Sequence, residues 1–127
     1  VNAGLVIYDT IQALSEKLEI NMYCIGMAAS MGAVLLAGGQ KGHRFILPHS
    51  KVMIHEPLIS KGFGGSATSI QSISESIMDT KKILNEILAK HTGKTKEEID
   101  EVTRHDHFMN AEESIEFGIC DYIVDTV

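Results

Sequence analysis

The sequence predicts an α/β fold with a partly parallel sheet, and three observations carry that prediction. Short apolar runs of strand length alternate with stretches of helical periodicity. Glycines stand where helices should stop, at Gly38-Gly39, Gly93 and Gly118. Two capping boxes, Thr95 with Glu98 and Asn110 with Glu113, mark helix starts. At 127 residues, the chain has room for one domain around one core.

Taken in order, Ala3, Leu5, Val6, Ile7, Ile11, Ala13, Leu14 and Leu18 predict a first helix with an apolar face reaching Leu18. This helix starts almost at once and the first residue is Val1, so an upstream portion is expected to be missing. Ile20 to Met27 reads as one buried strand. The small residues Ala28-Ala29-Ser30-Met31-Gly32-Ala33 then form a tight turn into a short buried helix. Phe45 to Leu47 and Lys51 to His55 are short strands around Pro48-His49-Ser50, and Pro57 closes the second because proline cannot continue a ladder. After the glycine-rich loop Lys61 to Ser66, a long helix runs from about Ala67 to His91. Ile70, Ile73, Ile77, Leu84 and Leu88 lie on one face, widened by Met78, Ile83 and Ile87. That width suits either core burial or a subunit interface. Short helices to about Thr103 and over Ala111 to Phe117 follow the capping boxes, and Ile119 to Val124 is a last strand.

Composition excludes several function classes. Eleven basic against 17 acidic side chains give a net charge of −6, which offers no footprint for a nucleic-acid backbone. Apolar runs such as Ala33 to Ala37 fall far short of the roughly 20 residues a membrane span needs. Cys24 and Cys120 lie far apart without CxxC spacing and read as buried free thiols of a reducing compartment. A cytoplasmic domain is expected. The glycine loop matches neither a P-loop nor a dinucleotide fingerprint, so no nucleotide or other cofactor is expected.

Three positions carry possible chemistry. Ser30 sits at a strand-to-helix turn, where a hydroxyl stands exposed and the first helix amides can stabilise an oxyanion; taken alone, such a serine is more often a helix N-cap than a nucleophile. His55 ends a strand in which Val52 and Ile54 share one face and Met53 and His55 the other. It reads either as a general base or as a half-exposed polar strand end. In His105-Asp106-His107 the alternation places both histidines on one side of an extended segment, but no third metal ligand has suitable spacing. No metal is expected there. Asp106 reads either as the residue that orients a histidine or as part of a solvated loop.

Several segments together resemble the proteolytic subunit of the Clp protease. They are Gly26 to Ala33, Arg44 to Pro48, Val52 to Leu58, Leu84 to Gly93 and Arg104 to Glu113, in the right order along essentially the whole chain. The resemblance implies a Clp/crotonase-like fold of repeated strand-helix units, with residues 1–127 a single domain comprising a head and a handle region at about 59–91. It implies a serine endopeptidase with Ser30 as nucleophile, His55 as base, Asp106 as the orienting acid and the Met31 N–H as one oxyanion donor. It further implies two stacked seven-membered rings, unfolded protein and peptide substrates, and an AAA+ unfoldase that uses the ATP.

This chain departs from the family pattern in three places. The family's Ser-Pro-Gly-Gly segment, source of the other oxyanion donor, would lie just before Val1, and loss of one such donor costs roughly 10²–10³ in kcat. Glu56 stands where many members carry glutamine, and a carboxylate there is expected to raise the imidazole pKa slightly or to alter peptide preference. The loop around Lys61 to Gly65 is about two residues longer than usual. Two other functions fit the same fold, a crotonase-type acyl-CoA enzyme and a non-catalytic ring subunit. The presence of all three triad positions counts against both.

Overall fold

The apolar run that starts at Ile20 forms two strands in two different sheets, not the single strand expected. In the computed structural model, which describes residues 1–57 and 65–127, Gly26 takes a left-handed φ of 81° between β1 (Met22–Cys24) and β2 (Met27–Ala29). Buried Ser50 staples this break, accepting from the Gly26 N–H at 2.9 Å and donating to the Cys24 carbonyl at 3.1 Å. One glycine thus sends a continuous stretch of chain from one sheet into the next.

Around this break the remaining elements are α1 (Asn2–Ser15), α2 (Met31–Ala37), β3 (Arg44–Ile46), β4 (Lys51–Ile54), α3 (Ala67–Thr92), α4 (Lys96–Thr103), β5 (His107–Met109), α5 (Ala111–Phe117) and β6 (Tyr122–Ile123). Among the described residues the architecture is therefore five helices and two three-stranded sheets. The first sheet, β1-β3-β6, is all parallel. In the second, β2-β4-β5, β2 pairs parallel with β4 and β5 pairs antiparallel. The expected α/β class with a partly parallel sheet holds. Between the layers lie Ile46, Val52, Ile54, Ile99 and Ile119, each essentially without solvent contact.

Local signals decide most helix ends. Both capping boxes form, with the Thr95 side chain accepting from the Glu98 N–H and the Asn110 side chain from the Glu113 N–H. Gly93 and Gly118 end α3 and α5 in left-handed conformations. At Gly118 an added Cβ would stand 2.6 Å from the Thr92 carbonyl oxygen, so close packing demands glycine as well.

Other expectations need correction. The first helix ends at Ser15 instead of reaching Leu18, and its one buried residue is Tyr8. Val6, Ile7 and Leu14 are exposed, because Leu5, Tyr8 and Ile11 form the side turned inward. The apolar stripe of α3 is buried only near its C-terminal end, at Leu84 and Leu88, where the helix packs against α2 and α4. Ile70, Met78 and Ile83 are exposed. The last strand is shorter than expected, Tyr122–Ile123, flanked by main-chain bonds from the Asp121 and Val124 N–H groups to the Arg44 and Ile46 carbonyls. Strand β5 lies between the two capped helices, where the sequence pattern predicts no element. Most of the glycine-rich loop and the extra handle residues lie outside the described residues. Cys24 and Cys120 are free and buried, and burial pushes the Cys120 thiol up to about 12.

Candidate active site

Three strand ends of the second sheet build the site. Ala28 and Ala29 of β2 pair with Val52 and Met53 of β4, and the Ser30 N–H continues that ladder onto the Met53 carbonyl at 2.9 Å. The chain then turns directly into α2, which leaves Ser30 at φ 57° and ψ −118°. Among the described residues it is the only non-glycine with positive φ. Such strain persists only where the surroundings impose it. Ser30 occupies the N-cap position of α2, yet its side chain makes no capping bond. Ser30 is thus an N-cap by position only, and its hydroxyl caps no helix amide. Met31 follows as the first helical residue, whose N–H has no intrahelical acceptor.

His55 directly follows β4. Val52 and Ile54 are buried on one face, while Met53 and His55 are half-buried on the other, as the alternation predicts. The imidazole Nδ1 lies 2.5 Å from the Glu56 carbonyl oxygen. A carbonyl only accepts, so in the neutral ring Nδ1 carries the proton and the Nε2 lone pair is left available. Ser30 and His55 line the same narrow cavity, together with Val34, Pro57, Leu84 and Leu88. Its volume of about 30 Å³ suits a water molecule.

Asp106 precedes β5, whose antiparallel register pairs Ile54 with His107. One further step of that register sets His55 opposite Asp106. The strand pairing therefore brings the third residue alongside, but the side chains do not meet: Asp106 is exposed, and His55 Nδ1 is bonded to Glu56 instead. The flanking histidines separate, His105 exposed in the turn and His107 in the ladder near Phe117. Among the described residues no three histidine, cysteine or carboxylate side chains gather to hold a metal ion.

Sequence reasoning missed two neighbours of this site. The Glu56 carboxylate is turned to Lys81 Nζ at 3.0 Å, and Asn85 is a buried polar residue in the cavity wall. The available signal for Asn85 was an amide set between Leu84 and Leu88 in an otherwise apolar stripe. Lys81 had none, since its partners come from the chain just past β4 and from α4. No helix among the described residues is long and apolar enough to cross a membrane.

An exposed serine on a strained turn, beside a histidine with a free ring nitrogen, is an arrangement suited to acyl transfer. A family model described as Clp protease matches residues 1–127. The chain therefore belongs to the Clp protease family, peptidases of the ClpP kind.

Proposed function

We propose that this chain is a serine-type endopeptidase subunit in which Ser30 is the nucleophile, His55 the general base and Asp106 the residue that orients it. The observation that carries this reading is the shared cavity of Ser30 and His55, on neighbouring paired strands, with Asp106 one register step from the histidine. His55 Nε2 takes the Ser30 proton as Oγ attacks the scissile carbonyl. The Met31 N–H, at the positive end of α2, donates to the oxyanion of the tetrahedral intermediate. The imidazolium then protonates the leaving amine, and water repeats the sequence on the acyl-enzyme. A ring rotation that exchanges the Glu56 carbonyl for the Asp106 carboxylate completes the set, and Asp106 stabilises the imidazolium without taking its proton.

The wider setting belongs to the same proposal and rests on family membership. It comprises two stacked seven-membered rings in the cytoplasm, unfolded protein substrates, and an AAA+ unfoldase that consumes the ATP while this chain needs no cofactor. Treatment with a fluorophosphonate probe and mapping of the adduct test the chemistry. Labelling confined to Ser30, lost in Ser30→Ala, is the expected result. Asp106→Asn is expected to reduce kcat by up to about 10⁴. Absence of labelling would favour a non-catalytic ring subunit.

A further inference from the structure

Lys81 of α3 lies on the far side of the strand end that carries His55. Its Nζ is 3.0 Å from Glu56 Oε2 and 3.1 Å from Asp100 Oδ1. The same Asp100 oxygen accepts from Asn85 Nδ2 at 3.2 Å, and Asn85 lines the cavity that holds Ser30 and His55. Glu56 is tied into the site through its backbone: its carbonyl meets His55 Nδ1, and its N–H donates to the Thr103 carbonyl at 2.8 Å. One ammonium thus reaches the base through Glu56 and the cavity wall through Asp100.

Energetics indicate what such a cluster can do. Its three charged side chains are 20%, 33% and 40% exposed, so water screens them and they add little to global stability. Their geometric effect is larger. Without the ammonium, two carboxylates, one just past β4 and one on α4, face each other in repulsion. Both are then free to swing away, Glu56 with the chain end that carries His55 and Asp100 with the amide of the cavity wall. Lys96, which lines the same cleft as Lys81, is paired instead with Glu86 at 3.0 Å.

We propose that Lys81 is a positioning residue for the hydrolytic centre, fixing the chain end that carries His55 through the Glu56 side chain and Asn85 through Asp100, whichever partner His55 Nδ1 takes. This rests on the reading of Ser30 and His55 as nucleophile and base. Because Lys81 does not line the cavity, its loss should lower kcat and leave KM nearly unchanged. A small misplacement of the base costs on the order of 10–100-fold.

The test compares the full chain with Lys81→Met and Lys81→Arg. It measures the rate of fluorophosphonate labelling at Ser30, kcat and KM on a short fluorogenic peptide, and particle size by gel filtration. Lys81→Met is expected to slow labelling and kcat about 10–100-fold at constant KM and particle size. Arginine also spans two carboxylates, so Lys81→Arg should recover most of the loss. An unchanged kcat in Lys81→Met overturns the inference. So does a loss that Lys81→Arg fails to recover, or one accompanied by a change in particle size. If the unaltered chain does not label at Ser30, the hydrolytic reading itself falls, and the role of Lys81 falls with it.

Discussion

Arg44 and His55 both occupy paired strand ends, and their polar groups are treated in opposite ways. The Arg44 guanidinium is 3% exposed and bonded through all three of its nitrogens. It donates to the Ala37 and Gly118 carbonyls at 3.0 Å each, to the His91 carbonyl at 3.3 Å, and to both Asp121 oxygens at 2.8 and 2.9 Å. In binding all these groups it joins α2, α3, α5 and the approach to β6, buried out of reach of a ligand. His55 is half-buried, bonded on one nitrogen and open on the other. A polar group closed on every side secures the architecture, whereas one held on a single side retains capacity for chemistry.

The largest expected effect breaks this contrast at its structural end. Arg44→Met removes one partner of a buried pair and orphans three carbonyls, for a loss of about 3–5 kcal/mol in denaturant unfolding. His55→Ala should stay within about 1 kcal/mol. Equal losses in the two variants would erase the distinction drawn between the sites.

A smaller effect of opposite sign belongs to Ser30. Glycine accepts positive φ without strain, so Ser30→Gly should gain roughly 1 kcal/mol while losing all covalent labelling. If Ser30→Gly is less stable than the parent, the turn is not imposed at the cost of folding energy.

The smallest effect is a pH dependence beside the Arg44 cluster. His91 Nε2 lies 2.6 Å from the Tyr8 hydroxyl, and the two share a hydrogen bond. Burial holds the His91 pKa below its usual value, with Lys90, Arg44 and Lys41 adding to the shift. The unfolded chain therefore takes up the proton first. Stability is full above about pH 6.5 and falls as the pH drops through the lower folded value. Melting temperature measured from pH 7.5 to 5 should decline, and His91→Gln should flatten that decline. An unchanged slope in His91→Gln would place its origin elsewhere.

Sequence signals predicted this molecule well wherever structure is decided within a few residues. The capping boxes at Thr95 and Asn110, the glycine stops at Gly93 and Gly118, and the two faces of Lys51 to His55 all depend on near neighbours. The break at Gly26 was not legible, because it depends on Ser50, 24 residues away. Strand β5 escaped for a similar reason: three residues, His107 to Met109, form a strand only because β4 lies alongside. At the candidate site, residue types and the family resemblance singled out Ser30, His55 and Asp106. The bond from His55 to the Glu56 carbonyl, and the contact between Glu56 and Lys81, exist only after the chain has folded.

The Ser30 amide bonded to the Met53 carbonyl has a consequence for inheritance. The Ser30 and His55 strand ends are joined by main-chain bonds that every amino acid except proline can make. A gene copy that loses the hydroxyl or the imidazole still encodes the same frame. Duplicated copies can thus shed their chemistry, keep their shape and persist as scaffolds beside active siblings. Selection on folding alone would not keep the serine, because the frame forms without its hydroxyl.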